Sequence, residues 1–271
     1  MALCAVSTIF EEVSDFGDAV WRADALARHA SPAGVVVTGH ALLDAELPGG
    51  GWPVGGLCEI LQTHSAQGEW QLLLPALCVA QQQMARPGAP TWVMLVGPPH
   101  VPFGPALAAF GLDVHQLLWV KAQAPAERLW AAEQALRCAG VAAVLAWLPQ
   151  VQAASLRRLQ MAALTHAKLL FVMRPAIAQH ESSPALLRLL LGQDGASVGR
   201  RGTGVAAVTA ALHVQVLKRR GPPLAGSLVL PPGSAVLSEL LGLYAGAVWV
   251  PQTQPKVMDL ERGHALDSLA A

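Results

Sequence analysis

The stretch LPGGGWPVGGLCEIL, Leu47 to Leu61, followed by QTHSAQGEW, Gln62 to Trp70, decides how the chain is read. The Gly/Pro cluster from Leu47 to Gly56 is loop or turn. Leu57 to Leu61 is a short apolar strand, and the polar segment after it leads into a helix-forming run from Gln71 to Ala85, where Pro75 requires a kink or a late start.

Downstream, strands and helices alternate as a parallel sheet requires. Thr91–Val96, Leu117–Val120, Val141–Trp147 and Lys168–Met173 read as strands. Val141–Trp147 (VAAVLAW) is uninterrupted and apolar, as a strand covered on both faces should be. Between them lie predicted helices at Gly104–Phe110, Ala126–Cys138 and Ala153–Ala167. Leu129, Ala132 and Leu136 share a face of the second, and Leu156, Leu159 and Ala163 a face of the third. Pro184–Leu191 reads as a further helix. His213–Lys218 and Ser227–Leu230 read as a hairpin around Arg219–Pro223, and Ala235–Tyr244 as a weak helix. The expected fold is α/β, three layers with a mainly parallel central sheet. Residues 39–230 form its core, 1–38 an N-terminal extension with an amphipathic segment at Val20–His29, and 231–271 a C-terminal extension whose tail from about 251 is disordered alone.

Composition narrows the function classes. The chain has 271 residues, 18 basic and 18 acidic, and charged residues make up 13%, about half the roughly 25% of an ordinary globular protein. With 53% apolar residues, a surface so poor in charge suits a bound partner or self-association. Cys4, Cys58, Cys78 and Cys138 form no CxxC pair, which argues against zinc and a disulfide framework. No signal peptide and no membrane span is evident, so a cytoplasmic location is expected.

The lead-in Leu47–Leu61 resembles that of the RecA family, where a strand ending in Glu-Ile runs straight into a phosphate loop. Phe110–Leu118 (FGLDVHQLL) resembles a second segment of that family. The resemblance implies a RecA-like fold with a degenerate P-loop. At Gln62, Gly68, Glu69 and Trp70 only the glycine survives, and Glu69 stands where the phosphate-binding lysine belongs. A carboxylate there repels phosphate, and the first lysine of the chain is Lys121. Ungapped counting puts Pro99 at the catalytic glutamate. The strand that should end in a magnesium-binding aspartate ends Ala146-Trp147-Leu148-Pro149, and no Asp or Glu occurs between Glu133 and Glu181. The resemblance thus implies a pseudo-ATPase with no catalytic residue, no cofactor and no metal. Trp70 is the residue expected to fill the space vacated by phosphates, and His64 and His100 to face the old pocket.

Within that superfamily, Trp147-Leu148-Pro149, Arg157–Ala162, Phe171–Pro175 and Val216–Pro223 resemble the ImuA family of translesion-synthesis accessory proteins. The resemblance implies a non-catalytic adaptor in SOS-induced mutagenic DNA repair. Its partners would be ImuB and an error-prone replicative-type DNA polymerase, with contact to RecA left open. The alternative is a cell-division inhibitor of the SulA type, whose partner is a tubulin-like division protein. The family's first DNA-binding loop looks deleted. Arg200 and Arg201 lie in the counterpart of the second, and Lys218, Arg219 and Arg220 are a further candidate contact for phosphate or partner. A solvated turn is the simpler reading of the latter group, and direct DNA contact is not the favoured one. Val257, Met258, Leu260 and Leu266 are the candidates for docking as a short partner-bound helix. Gly195–Gly199 fits the G-x-S-x-G pattern, but without a strand before it and a helix after it, it reads as flexible loop. The dispersed tryptophans read as core or interface anchors.

Overall fold

The computed structural model describes residues 34–64, 68–85, 88–193, 211–224, 226–231 and 256–259. A two-stranded antiparallel ribbon, β1 (Val35–Val36) with β2 (Trp52–Pro53), brackets α1 (Ala41–Glu46). There follow β3 (Leu57–Gln62), α2 (Glu69–Met84), β4 (Trp92–Val96), α3 (Gly104–Ala109), β5 (Leu117–Lys121), α4 (Pro125–Arg137), β6 (Val141–Trp147), α5 (Ala153–His166) and β7 (Leu169–Pro175). The chain continues through β8 (Leu187–Gln193), β9 (Leu212–Lys218), β10 (Ser227–Leu230) and β11 (Lys256–Asp259). Val114–Gln116 and Ala176–His180 are short 3-10 turns.

The main sheet has nine strands in the order β10-β9-β8-β3-β7-β6-β4-β5-β11. Six of its eight pairings are parallel; only β8–β9 and β9–β10 are antiparallel. Side chains alternate across it with period two. Val93, Leu95, Leu169, Phe171 and Met173 join the core under α2, while Met94, Val96, Leu170 and Val172 join a second core with α4 and α5. All seven residues of β6 are buried, as expected for a strand covered on both sides. The sheet is therefore flanked by helices on both faces, in three layers. In α5, Leu156, Leu159 and Ala163 are the buried residues, the face its 3.6-residue periodicity marks.

Proline inside α2 is accommodated rather than avoided. The helix runs from Glu69 to Met84 through Pro75. Pro75 has no N–H to offer the carbonyl of Gln71 four residues earlier, and that carbonyl accepts instead from His40 Nε2 at 3.2 Å. Gly39, at φ +81°, lies so close that a Cβ there would sit 2.3 Å from Pro75 Cβ. The segment before α1 thus caps the proline step of α2.

Two expectations require correction. Leu187–Gln193 is a strand and not a helix. Short apolar runs do not discriminate the two by periodicity, and here Leu187, Leu189 and Leu191 reach the core beneath α2 while the backbone pairs with β3. Lys256–Asp259, carrying Val257 and Met258, is likewise extended and adds a parallel edge strand to β5 where a partner-bound helix was expected; Leu260 and Leu266 lie outside the described residues. Together with β1, this strand carries the paired structure beyond residues 39–230 on both sides. Val20–His29, Ala235–Tyr244 and Gly195–Gly199 also lie outside the described residues.

Candidate functional site

In open parallel sheets ligands bind beyond the carboxyl ends of the strands, and a cleft of about 380 Å³ occupies that position here. Gln62, Thr63 and His64 reach it from the end of β3, and Gly97, Pro98 and Pro99 from the end of β4. Trp147 and Pro149 enter from β6, Met173, Arg174 and Pro175 from β7, and Arg128 from α4. The positions singled out in the sequence at Gln62, Pro99 and Trp147–Pro149 are therefore brought together. His64 lines the cleft, whereas His100 is exposed and does not.

The beginning of α2 closes on itself. Glu69 is 3% exposed, and its carboxylate accepts from Gln62 Nε2 at 2.7 Å in a buried contact. The side chain at position 69 is thus turned inward and hydrogen-bonded to the last residue of β3. Trp70 does not fill the cleft; it is half-buried and packs against the core beneath α2.

Behind the cleft lies an ionic cluster that sequence reasoning missed. Glu59, fully buried in β3, meets Arg174 NH1 at 3.3 Å and Arg188 Nε at 2.5 Å. Arg174 NH2 continues to Glu181 at 2.6 Å. Arg188 also donates to the carbonyls of Ala178, Gln179 and Glu181, fixing the 3-10 turn after β7. A buried carboxylate requires such partners. The signal was available: a glutamate inside LCEIL and an arginine inside an unbroken leucine run are charges in buried strands.

Arg128 is held across the end of β4. Its Nε donates to the Ala122 carbonyl at 3.0 Å and its NH1 to the Trp147 carbonyl at 3.3 Å. Gly97, at φ +61°, makes room for it, since a Cβ there would lie 2.7 Å from Arg128 Nε. Elsewhere, Lys168 is buried with Nζ on the carbonyls of Ala139 and Val141, at 2.9 and 2.6 Å, and desolvation lowers its pKa. Burial pushes the thiols of Cys58, Cys78 and Cys138 up and so away from nucleophilic use.

The basic candidates are dispersed. Lys218 Nζ donates to the Ser183 carbonyl at 3.0 Å, and Arg220 is exposed. Arg219 is engaged within the chain: it bonds the Pro222 carbonyl at 3.0 Å and the Glu46 carboxylate at 3.0 Å, and also the Glu46 carbonyl. This ties the turn after β9 to α1. Arg200 and Arg201 lie outside the described residues. Among the described residues no group of three or more His, Cys, Asp or Glu is placed to hold a metal ion, and no helix is long and apolar enough to cross a membrane.

No family model matches the chain. The cell division inhibitor SulA of Edwardsiella piscicida is similar to it, 31% identical over 123 residues, which is 45% of this chain and 70% of that protein. On that identity and coverage, the chain belongs to the family of the cell division inhibitor SulA.

Proposed function

We propose that the chain is a RecA-like pseudo-ATPase that works by binding other proteins, as an accessory factor of SOS-induced translesion DNA synthesis alongside ImuB and an error-prone polymerase. The observation that carries the non-catalytic part is Glu69, a buried carboxylate bonded to Gln62 where a nucleotide-hydrolysing relative needs a lysine directed at phosphate. Pro99 and the Trp147–Pro149 strand end, which border the same cleft, have no carboxylate to activate water or hold magnesium. Neutral or repulsive groups at all these positions favour binding over phosphoryl transfer. The translesion assignment is supported by the ImuA-like segments. One of them has a structural use: Gln160 of the Arg157–Ala162 motif holds the lead-in to β3, accepting from Leu57 N at 2.6 Å and donating to the Gly55 carbonyl at 3.2 Å.

A second reading, inhibition of cell division through a tubulin-like partner, is favoured by the likeness to SulA. It accounts for 123 of the 271 residues, which is why it stands second. Co-purification of the tagged full chain separates the two. Capture of ImuB, the polymerase or RecA without saturable binding of a fluorescent ATP analogue supports the adaptor. Capture of the division protein with arrest of septation supports the inhibitor. Saturable nucleotide binding overturns both.

A further inference from the structure

The cleft at the strand ends has three properties that together specify a ligand chemistry. Four of its lining residues, Pro98, Pro99, Pro149 and Pro175, bring no main-chain donor, since proline carries no N–H. Among the described residues its charged lining is one-sided, with Arg128 and Arg174 present and no Asp or Glu. Arg174 is committed to Glu59 and Glu181, but Arg128 spends two contacts on carbonyls and, among the described residues, has no carboxylate partner. Its charge and the rest of its donor fork remain available. Two lining residues hold buried N–H groups with no acceptor among the described residues, Trp147 Nε1 and Arg174 Nε.

The surroundings add an apolar component. Val101, Phe103 and Ile177, within a few residues of the lining prolines, are 67%, 38% and 76% exposed. A free small anion would gain nothing from exposed apolar side chains that follow the lining prolines in the chain, whereas a peptide carrying an acid beside apolar residues would use both features. About 380 Å³ lies at the small end of the roughly 300–1,000 Å³ range of ligand pockets, enough for a short segment.

We propose that this cleft docks an acidic peptide segment of a partner protein: an Asp or Glu side chain pairs with Arg128 inside it, and apolar neighbours rest on Val101, Phe103 and Ile177. This rests on the reading of the chain as a protein binder and names the site and chemistry of that binding.

The test is selection of a random peptide library displayed on phage against the immobilised full chain, with no named partner present. Its failure is thereby separable from failure of the co-purification. Peptides from the enriched sequences are then labelled and titrated by fluorescence anisotropy. The expected enrichment is Asp or Glu flanked by Leu, Ile or Phe. A selected peptide should lose about tenfold or more in affinity when its own acid is changed to the amide, and again with Arg128→Gln, as loss of a charge-assisted hydrogen bond requires. Because Arg128 also holds two carbonyls, Arg128→Lys and Ile177→Glu accompany it. The first keeps the charge and should retain part of the binding. The second alters only an exposed position two residues after the lining Pro175 and should weaken binding with an unchanged melting curve. Enrichment without acids, equal affinity of acid and amide peptides, or indifference to Ile177→Glu overturns the proposal. So does protection by inorganic phosphate with no peptide selected, which would mean a small-anion site.

Discussion

Replacing Glu59 by Gln should be among the most damaging single isosteric changes in the molecule. Glu59 is fully buried between Arg174 and Arg188, at 3.3 and 2.5 Å, with Glu181 completing a set of two cations and two anions. Gln preserves volume and shape, so no cavity opens; what changes is that the cluster is left with an unbalanced positive charge away from water. Removing one partner of a buried ion pair costs about 3–5 kcal/mol. For a domain of this size, at roughly 2–4 °C per kcal/mol, the melting midpoint should fall by about 6–20 °C. The internal comparison is Glu181→Gln. That side chain is 56% exposed, its charge is screened, and its loss should cost at most about 1 kcal/mol. Urea titrations followed by tryptophan fluorescence would measure both variants. If Glu59→Gln costs less than about 1 kcal/mol, or no more than Glu181→Gln, the cluster does not balance its charge internally as described and the reasoning fails. Arg188→Met should cost more than Arg174→Met, because it also orphans the carbonyls of Ala178, Gln179 and Glu181.

Four shorter predictions follow from other sites. Glu69→Lys should not restore nucleotide binding to a fluorescent ATP analogue, and should lower stability by about 2 kcal/mol or more, because it buries a cation and removes the acceptor of Gln62. His40 has its pKa lowered below 6.5, chiefly by burial. The unfolded chain therefore takes up that proton first, and the His40 contribution is present above the unfolded value and lost as pH falls from about 6.5 toward the folded one. Subtracting the stability profile of His40→Ala from that of the wild type should isolate this slope; a flat difference would refute it. Gly39→Ala should destabilise by about 2 kcal/mol or more, combining a left-handed backbone with a 2.3 Å approach to Pro75; a melting midpoint within a degree or two of wild type would count against the packing. Burial raises the Cys58 thiol pKa, so mass-resolved alkylation should modify Cys58 only at the rate of global unfolding.

Much of the sheet was legible because period and composition act locally. VAAVLAW had only one environment open to it, and β6 is buried at every position; the inward face of α5 followed from spacing alone. Where two periods fit equally, the sequence did not discriminate. The run from Leu186 to Leu191 satisfies a helical or an extended pattern, and what makes it extended is a long-range demand: β3 must have a neighbour that brings Arg188 to Glu59, 129 residues away. The same holds for Pro75, where the sequence announces a break and a histidine 31 residues away from Gln71 repairs it. For the candidate site, the absence of a lysine before Lys121 and of any Asp or Glu between Glu133 and Glu181 was readable directly. That Glu69 turns inward to Gln62, and that Arg128 crosses the end of β4 over Gly97, depends on tertiary placement and carries no local signature.

The prolines bear on the binding proposed here. A phosphate cradle needs several main-chain N–H groups converging on one point. At this cleft Gly97 and then Pro98-Pro99 follow β4, Leu148-Pro149 follow β6, and β7 ends on Pro175, so four of the lining residues offer no main-chain N–H. Proline at these positions also stiffens the strand ends, which lowers the entropy lost when a peptide settles there. Recognition is left to side chains, and the side chain positioned to provide it is Arg128. A cleft bordered by four prolines can still select a carboxylate by one guanidinium.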